Sequence, residues 1–508
     1  MVGVAGRSKG CITCRSRKKG CDLKQPICGQ CEERGIHCGG YDNDRIFIRH
    51  DSRPKYVSAS ASPNHPTTIR SASSRQMQNA HLNESAGLVP FSTGNGLPAT
   101  IMPFVFNRIP GVTSLTQSAF REKSMEALMQ TMFAATDMRS MSHAGREVVG
   151  ILPKLSASDE ALRLAVLALG TVALSSETND TALARQGHGI YGKALVETRR
   201  ALQNPDRARS TAILAIPPIM ALFEILFGAE VNTTHQAQSW LSHAEGEIAL
   251  FNAHGPEAFI EDIPHSFFVM GRYRPLIAAV RTRKRSVLNE ERWKTVPWRG
   301  RTKTPEDTLL DIMAAVPESL ENVDRFGTLS SDAPEDQAKD LETATKCWDL
   351  HNQLQEWLLI NEHEIYKPIT MEATPIEFAN FQSASLTIRY WVLGLLIYST
   401  LDTACRIPNT DTNCTHRGRP HPRYFARLIA RSAAYFFREE FGVTGPTRFA
   451  FPLGNAMLYM RRDMVLDREY LALVKQTWDD PKIPGAIKKF LNSLRLSVTT
   501  PQAPPPEE

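Results

Sequence analysis

The spacing of six cysteines near the start of the chain constrains its fold more than any other feature. Six of the nine cysteines lie in one short string, CITCRSRKKGCDLKQPICGQCEERGIHC. The string is an internal duplication with an offset of seventeen positions, in which Cys11, Cys14 and Cys21 recur as Cys28, Cys31 and Cys38. Because a gap of two residues lets neighbouring thiolates bind one ion, the pattern predicts a metal site with all six cysteines as ligands.

The number of sulfurs also predicts how many ions are bound. Zinc prefers four tetrahedral ligands, and six sulfurs can serve two ions only if two of them bridge both. The symmetry of the duplication indicates Cys11 and Cys28 as the bridges, so the predicted cofactor is Zn²⁺, two ions per chain. A single four-cysteine zinc site and three disulfides are the alternatives. His37 is a conceivable ligand, although Cys38 already occupies that corner.

The charge of the chain is concentrated in the same region. Residues 1–50 contain ten Lys and Arg against five Asp and Glu, which equals the formal net charge of +5 for all 508 residues. A basic segment on a neutral body is typical of a nucleic-acid-binding protein. On charge alone, a solvated basic tail is an equal alternative.

The cysteine string resembles the fungal six-cysteine binuclear zinc cluster, a DNA-binding module of transcription regulators. The resemblance covers about residues 8–42 and includes the cysteine register, the basic first half, Pro26 and Gly35. It implies a small metal-stabilised domain with two short helices that binds double-stranded DNA.

The two copies of the duplicated unit differ in charge. The segment RSRKKG after Cys14 is basic, whereas its counterpart EERGIH after Cys31 begins with two acids. We therefore expect a short helix that begins near Cys14 to face DNA, where arginine and lysine suit the two acceptors of guanine. The resemblance implies that Lys18, with Arg17 beside it, contacts the bases of a CGG-type triplet. We expect three further residues to contact phosphates: Arg15, Lys19 and Lys24.

One departure from the resemblance concerns these phosphate contacts. Gly20 stands directly before the third cysteine, where the family often has a basic residue, so the individual phosphate contacts stay open. A nuclear import signal is a second interpretation of the same basic run, compatible with the first.

Residues 43–110 are predicted to form a mostly disordered linker. They contain nine serines between positions 52 and 92 and no sustained apolar period. The stretch RIFIR (45–49) alternates as a short strand does. No heptad pattern follows the cluster, so a coiled-coil homodimer is unsupported, and both binding as a monomer and pairing through the large domain stay open. Residues 496–508 are predicted to be a disordered tail.

Residues 111–495 are predicted to form a large all-α domain with helices packed in pairs. Ser156 and Asp159 have the spacing of a capping box. A buried stripe is expected at Ile190, Ala194, Leu195 and Val196. Because Pro217-Pro218 cannot lie inside a helix, a new helix is expected to begin there. Residues 390–398, YWVLGLLIY, are expected to lie in a buried helix.

Two stretches of this region resemble the fungus-specific transcription factor domain of the second common type. They are WLSHAEGEIALFNAHGPEAF (240–259) and RYRPLIAAVRTRKRSVLNEERWKTVPW (272–298). The resemblance implies a regulatory domain without established catalytic residues.

No pattern in the helical region indicates an enzyme. The chain has no Gly-rich phosphate loop, HExxH or GxSxG motif. His243, Glu245 and Glu247 cannot all share one helical face and are expected on a polar surface. The run RTRKR (281–285) is interpreted as a solvated helix end, with contact to DNA or a partner as the alternative. The remaining cysteines are expected to be buried small apolar residues: Cys347, Cys405 and Cys414.

These features together predict a nuclear, sequence-specific DNA-binding transcription factor for RNA polymerase II genes. No stretch approaches the roughly 20 apolar residues of a membrane span, and no secretory signal is apparent, so no membrane association is expected. Transcriptional co-regulators are expected partners. The alternative is a zinc-stabilised interaction or regulatory module without specific DNA readout.

Overall fold

The computed structural model divides the chain into two compact units, Met1–Gly96 and Leu97–Glu508. The structure describes these residues: 13–14, 17, 19–22, 24, 28–36, 38, 119–120, 122–128, 142–228, 233–327, 334–405, 415–416, 418–480, 483, 485 and 487–492. Several predicted features therefore lie outside the described residues: the strand at 45–49, the linker at 43–110, the tail at 496–508, Pro26, His37 and Cys414.

The first unit contains one short helix with both ends described, and the described part of the second unit is built almost entirely of helices. The helix of the first unit is α1 (Gly29–Glu32). Those of the second unit are α2 (His143–Ser158), α3 (Glu160–Thr178), α4 (Thr181–Gln203), α5 (Pro205–Ala208), α6 (Thr211–Leu214), α7 (Ile216–Phe227), α8 (Thr233–His254), α9 (Asp262–Gly271), α10 (Tyr273–Thr282), α11 (Glu291–Thr295), α12 (Pro305–Met313), α13 (Val316–Gly327), α14 (Pro334–Asn361), α15 (Phe381–Ala404), α16 (Pro422–Arg431), α17 (Ala433–Phe436), α18 (Thr444–Met460) and α19 (Arg468–Asp479).

Short irregular elements connect some of these helices. Single 3₁₀ turns lie at Pro256–Phe259, Val287–Asn289, Val296–Trp298 and Glu439–Phe441. Two strands of two residues each, β1 (Thr415–His416) and β2 (Arg419–Pro420), pair antiparallel. The predicted fold class, a small cysteine-rich domain followed by a large all-α domain, is confirmed.

The start of α3 differs from the predicted capping box. Asp159 is the N-cap, and its carboxylate accepts hydrogen bonds from the backbone N–H groups of Ala161 and Leu162. Ser156 lies in the last turns of α2, where its hydroxyl donates to the carbonyl of Pro153. The pairing of these two residues was wrong because one helix ends immediately before the other begins.

Helices α3 and α4 pack closely against each other, as the prediction of paired helices requires. A Cβ at Gly187 would come within 2.3 Å of the Val172 side chain, so the glycine permits this approach. Ile190 and Ala194 are buried as predicted. Leu195 and Val196 are 42% and 39% exposed, so their assignment to the buried stripe was wrong. Both residues point away from α3, because only one face of α4 packs against that helix.

The predicted helix start at the double proline is confirmed. Helix α7 begins at Ile216, and Pro217 and Pro218 occupy its first turn. Proline is tolerated there because the first N–H groups of a helix have no partner within it.

Helix α15 forms the centre of the second unit and contains the predicted buried stretch 390–398. It packs against α14, α16 and α18. A Cβ at Gly394 would lie 2.8 Å from the Phe425 ring, so the helices meet closely at this glycine. By length and composition alone, α3 and α15 could cross a membrane, yet the protein buries 61% and 94% of their apolar windows.

The polar residues of α8 do not form the predicted solvent-facing surface. Glu247 is 2% exposed and accepts hydrogen bonds from Arg274 at 2.6 and 3.0 Å. The ring of His243 lies 2.8 Å from the hydroxyl of Tyr191 (Nε2 to Oη). Glu245 is exposed. The three residues therefore do not form one site, but two of them face neighbouring helices, which the sequence pattern of α8 alone does not reveal.

The basic run at 281–285 lies at the end of α10, as predicted, but it is paired with acids. Arg283 adopts a left-handed conformation with φ of 51° after the last helical residue. Its Nε lies 2.5 Å from Asp324, and the Nε of Arg285 lies 3.2 Å from Glu321, both on α13. The run thus joins two helices of the same domain.

The isolated cysteines differ in their exposure. Cys347 is fully buried, as predicted. Cys405, at the end of α15, is exposed, so its assignment to the core was wrong.

Candidate metal centre and nucleic-acid interface

Three cysteine sulfurs form the centre of the first unit. Cys14, Cys28 and Cys31 are buried, and their Sγ atoms all lie within 4.8 Å of one another. The Sγ atoms of Cys14 and Cys28 are 3.6 Å apart. That is far longer than a disulfide bond of about 2.05 Å. It is close to the roughly 3.8 Å between two thiolates on one tetrahedral zinc with Zn–S distances of about 2.3 Å.

The sulfur of Cys28 lies within reach of both halves of the cluster. Besides its contacts with Cys14 and Cys31, it forms a second close group with Cys21 and Asp22. A thiolate in this position suits a ligand shared by two ions, as the duplication predicts. Cys38 is half-buried against the three central sulfurs. Cys11, the other predicted bridge, lies outside the described residues.

Among the described residues of this unit, the buried side chains are those of cysteines. The buried residues of its core are Cys14, Cys28 and Cys31, and Ile36 is the one half-buried aliphatic side chain packed on them within the described part of the unit. So few apolar contacts cannot hold a fold together. Metal binding therefore has to supply the folding free energy, and the donor set present fits two Zn²⁺ ions.

Asp22 is an acidic neighbour of the sulfurs whose role the sequence did not predict. Its two carboxylate oxygens both lie 3.0 Å from the backbone nitrogen of Gly29, at the first turn of α1. This hydrogen bond places a negative charge at a helix N-terminus, where it is favourable. Asp22 thus joins the two copies of the duplicated unit instead of being required as a ligand.

The duplication is also present in the backbone. The N–H of Lys19 donates to the carbonyl of Cys14 at 3.0 Å, and the N–H of Ile36 donates to the carbonyl of Cys31 at 3.1 Å. Both donors and both acceptors are related by the offset of seventeen. A backbone hydrogen bond between residues five positions apart is typical of the C-terminal end of a helix. In the second copy, Gly35 has the positive φ of 62° that this type of helix end uses.

These bonds help to locate the short helices of the two copies. In the second copy, α1 begins directly after Cys28 and ends at Glu32. In the first copy, Thr13 and Cys14 are helical, Arg17 lies in a turn and Lys19 follows it. The N–H of Arg17 donates to the carbonyl of Thr13 at 3.2 Å, so a helical turn lies at Cys14, whereas the residue at which this helix begins lies outside the described residues.

The basic residues that the structure describes are accessible. Arg17 and Lys19 are exposed. The Nζ of Lys24 lies 3.1 Å from a carboxylate oxygen of Glu32, with about 60% of both side chains exposed. The hydrogen bond and the charge of Glu32 raise the pKa of Lys24. Two predicted DNA contacts, Arg15 and Lys18, lie outside the described residues.

Comparison with known families matches two parts of the chain. Residues 9–45 match the family described as Fungal Zn(2)-Cys(6) binuclear cluster domain. Residues 131–272 match the family described as Fungal specific transcription factor domain. The first match contains all six cysteines, and the second includes the whole of the first helical motif at 240–259.

Curated relatives match over short parts of their length. Residues of this chain are 55% identical over 41 positions to Arginine metabolism regulation protein II of Saccharomyces cerevisiae, covering 8% of this chain and 5% of that protein. They are 58% identical over 39 positions to Transcription factor phomR of Diaporthe leptostromiformis, covering 8% and 6%.

A third relative matches over a longer stretch. It is the Aspercryptin biosynthesis cluster-specific transcription regulator atnN of Emericella nidulans, 28% identical over 171 residues, which covers 33% of this chain and 22% of that protein. The chain thus spans less than a quarter of the length of each of these relatives. No solved structure matches the chain. The chain carries a fungal Zn(2)-Cys(6) binuclear cluster domain and a fungal specific transcription factor domain, and its relatives are fungal transcription regulators.

Proposed function

We propose that this chain is a nuclear, sequence-specific DNA-binding transcription factor for RNA polymerase II genes, which reads CGG-type triplets in the major groove. The observation that carries the proposal is the sulfur cluster around Cys28. Exposed basic residues lie before and after Cys28 in the sequence. The relatives named as transcription regulators support it independently.

The proposed metal centre uses six thiolates and two zinc ions. Cys11 and Cys28 bridge the ions, and each ion has two further cysteine ligands from Cys14, Cys21, Cys31 and Cys38. The closeness of the Cys28 sulfur to both Cys21 and the pair Cys14 and Cys31 supports its bridging role. Two Zn²⁺ and six thiolates carry a net charge of −2, which the surrounding lysines and arginines offset.

The DNA-binding segment is the basic run at the end of the first helix. Lys18 and Arg17 contact guanine O6 and N7, whereas Arg15, Lys19 and Lys24 contact phosphates. Exposure of Arg17 and Lys19 supports these roles. Lys24 already has an anionic partner in Glu32, so it exchanges a carboxylate for a phosphate when DNA binds.

The helical domain is the regulatory part of the protein in this proposal. It presents its surface to transcriptional co-regulators and has no enzymatic role. A homodimer, if formed, pairs through this domain, since the sequence after the cluster has no heptad pattern.

Selection of bound duplexes from a random DNA pool tests the proposal directly. The expected result is enrichment of CGG-type triplets by zinc-loaded protein. Recovery of random sequences would instead favour a zinc-stabilised interaction module without specific readout.

Two lysine variants then separate base contacts from phosphate contacts. Lys18→Ala is expected to weaken binding to the selected duplex by about 1–3 kcal/mol, with little effect on random duplex. Lys24→Ala is the control, and it is expected to weaken both equally and to reduce the slope of log K against log salt by about 0.9. Equal losses on both duplexes for Lys18→Ala would assign that residue to the phosphates.

A further inference from the structure

A cavity of about 1010 Å³ lies inside the helical unit. Residues of α2, α7, α9, α10, α15, α18 and α19 line it. The lining is mostly apolar, and it also includes several charged side chains, most of them arginines. This size and composition are typical of sites that enclose a drug-sized organic molecule.

A group of charged side chains lies at one part of the cavity wall. Arg389 of α15 forms an ion pair with Glu306, at the start of α12. The guanidinium carbon of Arg389 also lies 4.4 Å from the centroid of the Tyr273 ring. Arg448 of α18 lines the same cavity and is close enough to interact electrostatically with all three residues.

Arg448 differs from the other cations of the cavity wall. Arg274, Arg283 and Arg301 are paired with Glu247, Asp324 and Asp262. Among the described residues, by contrast, Arg448 makes neither a hydrogen bond nor an ion pair. Burial and the nearby charge of Arg389 lower the pKa of Arg448.

The charges of this group do not balance. Arg389 and Arg448 contribute two positive charges, and Glu306 contributes one negative charge. The pKa of Glu306 is lowered because the charges of Arg389, Arg448 and Arg272 outweigh the effect of burial, so its carboxylate is ionised. One positive charge is left on the wall of a largely apolar cavity, where a charge without a counterion is costly.

We propose that this cavity binds a small organic acid whose carboxylate pairs with Arg448 and whose bulky apolar body fills the apolar part of the cavity. Phe451, one turn beyond Arg448, and Ile277 of α10 line the cavity and suit the apolar part. A planar guanidinium can hold a carboxylate through two parallel hydrogen bonds. The proposal concerns the helical unit alone and does not depend on DNA binding.

A pair of fluorescent probes with the same aromatic body tests the proposal. 1-Anilinonaphthalene-8-sulfonate is an amphipathic anion, and N-phenyl-1-naphthylamine lacks the acidic group. Zinc-loaded full-length protein is expected to bind the anion in a 1:1 ratio. Arg448→Met is expected to weaken binding of the anion by about 10- to 100-fold, the loss typical of a hydrogen bond to a charged group, and to leave binding of the neutral probe within about twofold.

Two further variants keep the test decisive. Glu306→Gln removes the one acid of the group, so it is expected to tighten binding of the anion, and this result stands even if Arg448→Met fails to fold. Arg285→Met is the matched control, because Arg285 pairs with Glu321 and does not line the cavity. Equal losses for both probes in Arg448→Met, weaker anion binding in Glu306→Gln, or no 1:1 binding by the native protein would each overturn the proposal.

Discussion

Arg272 provides a direct test of what holds the helical domain together. It is 3% exposed, and its guanidinium donates to Asp307 at 2.7 Å and to Asp311 at 2.8 Å. Its guanidinium carbon also lies 4.5 Å from the centroid of the Trp298 ring. We predict that Arg272→Met strongly destabilises the domain, because it leaves Asp307 buried without its cation.

The expected size of the effect follows from the contacts that remain. Removal of one partner from a buried ion pair costs about 3–5 kcal/mol. Asp311 keeps Lys303 at 2.5 Å, and Asp307 keeps the backbone N–H and the hydroxyl of Thr304 at 2.9 and 2.7 Å. Because these contacts remain, the free energy of unfolding is expected to fall by an amount near the lower end of that range, about 3 kcal/mol. The lost interaction with Trp298 adds about 1 kcal/mol.

The assay is urea unfolding of the full chain, followed by circular dichroism of the helices. Arg285→Met is the control, because its partner Glu321 is 3.2 Å away and the Arg285 side chain is 61% exposed, so a loss of about 0–1 kcal/mol is expected. Addition of Asp307→Asn to Arg272→Met should recover part of the free energy of unfolding by removing the buried charge. Equal losses for Arg272→Met and Arg285→Met would refute the reasoning.

Three other predictions concern charge, pH and thiol reactivity. Glu32→Gln should tighten DNA binding and steepen its salt dependence, because Lys24 no longer has to leave a carboxylate. Fluorescence anisotropy measures both effects, and weaker binding would contradict the prediction. Burial and the charge of Arg419 lower the pKa of His351, so the folded protein should lose stability as the pH falls through about 6.5. In thermal melts, His351→Gln should lose less stability at acid pH than the native protein. An unchanged loss of stability at acid pH would exclude this histidine as the cause. Burial raises the pKa of Cys347 to about 12, so in native protein iodoacetamide should modify the exposed Cys405 before Cys347. Peptide mass spectrometry measures the two modification rates, and equal rates would argue against the burial of Cys347.

The sequence predicts the metal centre better than its surroundings. Cysteine spacing depends on local geometry around an ion, so the closeness of Cys14, Cys28 and Cys31 follows from the pattern alone. The end of the first helix was not predictable, because the bond from Lys19 to Cys14 depends on how the chain turns between the sulfurs. The hydrogen bond from Gly29 to Asp22 joins the two copies across seven positions and leaves no periodic signal.

In the helical domain, the existence of helices was predictable and their exposed faces were not. The apolar composition of residues 390–398 identifies a buried helix. The double proline at 217–218 identifies a helix start, because proline has no backbone N–H to donate. Leu195 and Val196 are as apolar as Ile190, so the choice of the buried face depends on the partner helix. The burial of Glu247 depends likewise on Arg274, 27 positions away in sequence.

The proposed DNA-binding function depends most on two zinc ions held by six thiolates. Native mass spectrometry of the intact, zinc-loaded chain measures this directly. We predict a mass that corresponds to two zinc ions per chain, and to none after exhaustive chelation. A single zinc ion per saturated chain would contradict the shared-sulfur cluster and, with it, the proposed placement of the basic segment on DNA.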